Sequence, residues 1–172
     1  DVVLSPQDLV SCDWFNMGCN GGMLLTAWNY MLFSGLVPES CFPYQSQGGD
    51  VPSCPSTCTT NSSMPFKSQK YYLSEYYPVG TIFLYWERAQ KIAEEIMARG
   101  SLEVAFSVYE DFLSYKSGVY KYTTGDMLGG HAVKAVGWGV ESSTNTPYWI
   151  IANSWSTTWG EQGYFRILRG TD

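Results

Sequence analysis

GGHAVKAVGWGVESSTNTPYWIIANSWSTTWGEQGYFRIL, residues 129–168, is the stretch whose reading decides the fold. Residues 131–140, 147–153 and 163–168 are rich in Val, Ile, Phe, Tyr and Trp and are separated by glycines and polar turns. That is a pattern of β-strands. Residues 102–109, LEVAFSVY, read the same way. Upstream of Gly100 the period becomes helical. Glu87 to Arg99 predicts a helix with Ile92, Ile96 and Met97 as its apolar stripe, Glu87 and Lys91 as a supporting pair, and Gly100 as its end. Met23 to Phe33 predicts another, with Leu24, Ala27, Trp28 and Met31 on one face and Gly35 as the stop. Ser5-Pro6-Gln7-Asp8 predicts a short first helix, with Ser5 as cap, Pro6 at the first helical position and Asp8 completing a capping box. Residues 38–65 are broken by prolines and glycines, hold three of the five cysteines, and read as loop. Tyr71 to Tyr85 is aromatic and reads as extended. Helices come first and strands follow, which predicts an α+β fold, with two lobes joined near residues 70–85.

Composition narrows the functions. The 172 residues carry a net charge of -6 with only 10 Lys+Arg, which argues against a nucleic-acid binder and against attraction to an anionic membrane surface. A hydrophobic fraction of 45% supports a sizeable core. The single His excludes a multi-histidine metal site, so no metal or cofactor is expected. Five Cys fit an oxidising compartment with disulfides and leave one thiol over. The charge-free run from Trp14 to Pro38 is too polar and glycine-broken to span a bilayer. No leader pattern opens the chain at Asp1, so a signal for export is expected upstream. Asn61-Ser62-Ser63 is a glycosylation acceptor pattern, of a kind that chance often produces.

Three places can carry chemistry. His131 follows Gly129-Gly130 and opens an apolar strand. It reads either as a satisfied core histidine or as a general base at a strand mouth. Asn153 ends an apolar strand, where an amide is costly without a partner. A catalytic His needs a third group to fix its ring, and Asn accepts a hydrogen bond from the far ring nitrogen without adding charge. Trp155 and Trp159 can cover that bond; the bland reading is a strand-end turn with core tryptophans. Gly18-Cys19-Asn20-Gly21-Gly22 lacks the Lys of a phosphate loop, and reads better as a backbone edge for an extended peptide.

The chain resembles the papain family of cysteine proteases, and its cathepsin B branch most closely. The matching stretches are Leu4–Cys12, Gly18–Gly22, Ala105–Tyr109 with Asp111-Phe112, and Tyr115–Tyr120. They continue through Gly129–Val133, Gly137–Val140, Tyr148-Trp149, Ala152–Trp155, Trp159-Gly160 and Ile167–Gly170. They run in family order over most of the chain. The resemblance implies a helical left lobe (1–72) and a right lobe (73–172) of one helix plus an antiparallel, barrel-like sheet. It implies peptide-bond hydrolysis by a Cys–His pair, with His131 and Asn153 as the family's His and Asn. For substrate it implies Gly21 and Gly22 along the peptide backbone. It also implies Leu24, Ala105, Leu128, Gly130, Ala132 and Trp155 as substrate-binding residues. Any one of Leu24, Ala105 and Ala132 can equally be core.

The same resemblance pairs Cys12 with Cys54 and Cys41 with Cys58. It sends Cys19 to an upstream Cys that this sequence does not contain. None of the five cysteines sits in the family's nucleophile signature, nor is the oxyanion-hole Gln present. The expectation is a fold incomplete at both ends, inactive as it stands, whose nucleophile and last strand region lie outside it. Cys19 as nucleophile is the weaker alternative. Two departures from cathepsin B stand out. Leu24 replaces a Pro in the second-residue pocket. The segment from Cys41 to Cys54 is short and lacks the paired His residues of the occluding loop. An endopeptidase with an open primed side is therefore expected. Implied partners are peptide or protein substrates, a pro-segment and cystatin-type inhibitors, acting on a monomer in a lysosome-like vesicle or outside the cell. The alternative functions are a family member that has lost its nucleophile and serves as a secreted binding or matrix protein, and a disulfide-rich lectin-like module.

Overall fold

Ser5 starts the first helix as its residue type predicts. Its hydroxyl accepts the Asp8 N–H at 3.1 Å and donates to the Phe42 carbonyl at 2.6 Å, and Pro6 opens helix α1, Pro6–Cys12. The structure, a computed structural model, describes residues 2–80 and 85–170, with Tyr85 and Trp86 described by backbone alone. The chain divides into two units, Asp1–Tyr77 and Pro78–Asp172.

In the first unit, Asp8 departs from the capping-box expectation. The Ser5 N–H that a capping box would satisfy goes to the Val37 carbonyl instead. The Asp8 carboxylate turns inward, where it is fully buried and accepts from Lys70 Nζ at 2.6 Å, the Tyr30 hydroxyl at 2.9 Å and the Val37 N–H at 2.8 Å. Every acceptor direction of a buried carboxylate needs a donor, and this one has them. Burial and the Asp8 charge push the Tyr30 phenol far up. Tyr30 belongs to α2, Leu24–Phe33. It is the buried residue of that helix, whereas the Leu24–Ala27–Trp28–Met31 stripe is only half-buried. Gly35 ends the helix at φ +69°, and a Cβ there would meet the Tyr71 carbonyl at 2.7 Å, so only glycine suits both demands.

Residues 38–65 are not all loop. Strands β1, Thr57–Cys58, and β2, Asn61–Pro65, pair antiparallel across a two-residue turn. The Cys12–Cys54 and Cys41–Cys58 disulfides hold this region, and Val37, Cys41, Phe42, Cys58 and Phe66 form its core. Of the predicted 71–85 extended segment, Tyr71 bridges Leu36, and residues 81–84 lie outside the described residues.

In the second unit, helix α3 covers Tyr85–Arg99, two residues longer at its start than predicted. Ile96 packs on the core, but Met97 is 78% exposed, so it does not belong to the apolar stripe. The sheet contains β3, Leu102–Tyr109; β4, Val119–Tyr120; β5, Met127–Glu141; β6, Thr146–Ala152; and β7, Tyr164–Leu168. A one-turn helix α4, Glu110–Leu113, follows β3. The strand order is β3-β5-β6-β7-β4, antiparallel except for the β4–β7 pair. The first part of β5 pairs with β3 and the second with β6, the two overlapping at Lys134 and Ala135, and the β5–β6 register shifts between Ala135 and Gly137. Such a bulge bends a strand and increases its local twist. Phe112 is fully buried at the centre of the core, within 4.8–5.5 Å ring to ring of Phe106, Tyr120, Trp155, Trp159 and Phe165. A cavity of about 710 Å³ lies between α3 and the inner sheet face, lined by Ile92, Val104, Phe106, Ile151 and Ile167 among others. No described helix is long and apolar enough to cross a membrane.

Candidate active site

Strand register brings His131 and Asn153 together. Lys134 pairs with Ala152, so one further step along the ladder sets Asn153 beside Val133. Side chains alternate between faces, so His131, two positions from Val133, is the diagonal neighbour of Asn153 on the same face. The two meet: His131 Nε2 lies 2.8 Å from Asn153 Oδ1.

The polarity of that bond is fixed by a third group. The Ser154 backbone N–H donates to the same Oδ1 at 2.8 Å. An amide nitrogen cannot accept that bond, so the oxygen must face Ser154 and His131 together. His131 Nε2 is therefore the donor, and Nδ1 is the ring nitrogen left to exchange protons. The Asn153 Nδ2 group is buried and has no hydrogen-bond partner among the described residues.

The backbone of Asn153 is anchored as well. Its N–H donates to the Gly163 carbonyl at 2.9 Å. The turn that carries Gly163 is held by Glu161, which takes the Arg166 guanidinium at 2.7–3.2 Å and the Gly118 N–H at 2.9 Å. Those Arg166 hydrogen bonds hold the Glu161 carboxyl below its ordinary range, against burial, which pushes it up.

Trp155 stacks on the His131 ring, centroids 5.2 Å apart and planes 23° from parallel. It is itself 38% exposed, so it covers the bond from the solvent side. Trp159 does not reach the bond directly. It packs edge-on to Trp155 at 4.9 Å, and its indole N–H donates to the Leu113 carbonyl at 3.2 Å. Phe106, cross-strand from His131, lies 6.0 Å from it on the core side. The histidine thus sits between an apolar floor and an indole lid, with its far nitrogen committed.

Ala105 and Ala132 are cross-strand partners, and both are exposed. Leu128 and Gly130 fall on the same face as Ala132 by alternation and are exposed too. This rules out the core reading of Ala105 and Ala132, and leaves a patch of small side chains beside Leu128. In the first unit, Gly21 and Gly22 are exposed and Leu24, the first residue of α2, is half-buried. Asn16 organises that edge, a residue the sequence reading passed over. Its Oδ1 accepts the Met23 N–H at 2.8 Å and the Thr26 hydroxyl at 2.7 Å, and so caps α2. A Cβ on Gly22 would collide with this Asn16 side chain. Asn16 sits seven residues before the N–H it satisfies, a spacing that no local capping pattern reveals. Cys19 is free and exposed.

A ring nitrogen committed to an amide oxygen leaves the other nitrogen free to take or give a proton, an arrangement suited to acid–base chemistry. Residues 1–172 match the profile described as Papain family cysteine protease, and the chain belongs to that family. Within it, the chain is 39% identical over 198 residues to cathepsin B-like cysteine proteinase 4 of Caenorhabditis elegans, covering 100% of this chain and 57% of that protein. It is 42% identical over 178 residues to cathepsin B-like protease 1 of Arabidopsis thaliana, covering 100% of this chain and 46% of that one. Among solved structures, procathepsin B S9 from Trypanosoma congolense superposes with a TM-score of 0.84 at 37% identity, covering 99% of this chain and 56% of the other. The chain spans about half the length of the curated relatives it matches.

Proposed function

We propose that these residues form part of a cysteine endopeptidase in which His131 is the general acid–base and Asn153 its positioning residue. The 2.8 Å His131–Asn153 bond, with its direction set by Ser154, carries this reading. Four of the five cysteines are tied in disulfides, and Cys19 falls in the glycine-rich edge, away from any nucleophile signature. We therefore assign the nucleophile to a thiol outside these 172 residues.

The chemistry follows from the committed ring. A nearby imidazolium lowers a thiol's pKa, so the pair rests as thiolate and imidazolium. The thiolate sulfur attacks the peptide carbonyl carbon. His131 gives its Nδ1 proton to the leaving amine as the C–N bond breaks, which leaves a thioester. Water then attacks the thioester, His131 Nδ1 takes its proton, the C–S bond breaks, and acid and thiolate separate. Throughout, Asn153 Oδ1 holds the Nε2–H and carries no charge that would trap the imidazolium.

Gly21 and Gly22 offer exposed backbone to an extended substrate, and Leu24 lies beside them. Ala105, Leu128, Gly130 and Ala132 supply a shallow apolar surface in the second unit, with Trp155 beside His131. The short, His-free segment between Cys41 and Cys54 favours internal cleavage over release of C-terminal dipeptides. A pro-segment, cystatin-type inhibitors, a monomeric state, and a lysosome-like or extracellular location go with this reading. The test is the activity of the full-length protein on internally cleaved peptides. His131→Ala is expected to lower kcat by about 10²–10⁴-fold. Undiminished hydrolysis by that variant, or efficient dipeptide release from C-termini by the wild type, would count against the proposal.

A further inference from the structure

We propose that Asn61 is an N-glycosylation site. Asn61-Ser62-Ser63 is the one Asn-X-Ser/Thr triplet in the 172 residues, and neither Ser62 nor Met64 is a proline. The fold presents it. Asn61 begins β2 directly after the two-residue turn of the β1–β2 hairpin, and residues 61–65 are all exposed. The Asn61 amide oxygen accepts the Ser63 N–H at 3.1 Å and the Ser63 hydroxyl at 2.7 Å. Those two donors fix the amide's orientation, as Ser154 fixes that of Asn153. Nδ2, the atom that would bear the sugar, has no hydrogen-bond partner among the described residues. A glycan there breaks no described hydrogen bond and displaces no core side chain.

The surroundings fit the same history. The hairpin is tied by Cys41–Cys58, and Cys12–Cys54 lies close by in sequence. Disulfides form in the oxidising lumen of the secretory route, where N-glycans are also attached. Thr59 and Thr60 anchor the turn, with the Thr59 N–H on the Cys41 carbonyl at 3.0 Å and the Thr60 hydroxyl on the Ser40 carbonyl at 2.6 Å. The acceptor is thus held away from the first unit's core on a rigid support.

The donor is an oligosaccharide carried on a lipid pyrophosphate. Asn61 Nδ2 forms a bond to the anomeric carbon, and the bond from that carbon to the phosphate oxygen breaks. The lipid pyrophosphate leaves with the electron pair, and one Nδ2 proton passes to a base of the transferase. Nothing is oxidised or reduced.

The test uses native protein, or protein secreted in full length from eukaryotic cells, treated with a peptide N-glycosidase that converts a glycosylated Asn to Asp. The expected result is a wild-type peptide spanning residue 61 recovered with Asp in place of Asn61 only after the enzyme. A matching gain in electrophoretic mobility is lost in Asn61→Gln and in Ser63→Ala and kept in Ser63→Thr. Recovery of that wild-type peptide wholly unmodified from secreted, disulfide-bonded protein would overturn the proposal. That readout needs no variant to fold.

Discussion

Ser154 contributes only a backbone N–H, yet that N–H decides which end of the Asn153 amide His131 meets. In the proposed mechanism, truncating Asn153 to Ala removes a hydrogen bond to a group that is charged during turnover. Such bonds contribute about 1.5–3 kcal/mol, which is roughly a 10- to 150-fold loss in kcat/KM. Steady-state kinetics of full-length Asn153→Ala would check this, and a loss below twofold would remove Asn153 from the mechanism. The sequence singles out His131 and Asn153 as polar residues bordering apolar runs, and the fold brings the two within 2.8 Å, with His131 four residues inside β5. It does not single out Ser154 or Gly163, because a backbone group leaves no mark in side-chain chemistry. Asp8 was legible only in part. Its place after Ser5 predicts a cap, but its partners Tyr30 and Lys70 lie 22 and 62 positions away, beyond any local pattern.

At the scale of elements, Lys70 and Asp8 tie helix α1 to the segment that follows the hairpin. Their side chains are 7% and 0% exposed. Removing one partner of a buried pair leaves an uncompensated charge, so Lys70→Ala is expected to cost about 3–5 kcal/mol. Replacing both by apolar residues of similar size removes the charge penalty but strands the Tyr30 hydroxyl and the Val37 N–H, each at about 1–3 kcal/mol, so it should not restore wild-type stability. Denaturant unfolding of the two variants checks both expectations. The Cys41–Cys58 link closes a loop with a sequence separation of 17, and replacing both cysteines by Ala should lower stability by about 3 kcal/mol. Strand β3 was legible to the residue, because its apolar alternation is unbroken. β5 begins four residues earlier than its sequence suggests, since Gly129 and Gly130 lack side chains to signal a strand and only pairing with β3 places them in one. The β1–β2 hairpin was hidden by the prolines around it. Met97 falls at helical spacing, but α3 turns it to solvent, because spacing alone does not say where a stripe's edge lies.

Across the whole molecule, the α+β class was readable, but the strict order of helices before strands was not borne out, since β1 and β2 precede α3 and α4 falls between β3 and β4. The bulge in the β5–β6 pairing was not readable either, since register depends on contacts far apart in sequence. One carboxylate ties local stability to pH. Burial pushes Asp111 up, but hydrogen bonds from the Tyr120 hydroxyl, from Thr123 and from the Thr124 N–H outweigh it and hold it at about 2, below the ordinary 3.8. A depressed pKa contributes stability that is full above the unfolded value and lost as pH falls through the folded one. The 110–125 segment should therefore keep its hydrogen-exchange protection down to about pH 4 and lose it toward pH 2. Asp111→Asn should lack that step.

The most direct measurement is the pH dependence of iodoacetamide alkylation in the native full-length protein, with the labelled residue identified by mass spectrometry. The account predicts rapid alkylation well below an ordinary thiol's pKa, at a cysteine outside these 172 residues. It predicts that this low-pH reactivity is lost in His131→Ala and that activity falls in step with labelling. Inactivation that instead tracks modification of Cys19, or low-pH reactivity unchanged in His131→Ala, would contradict it.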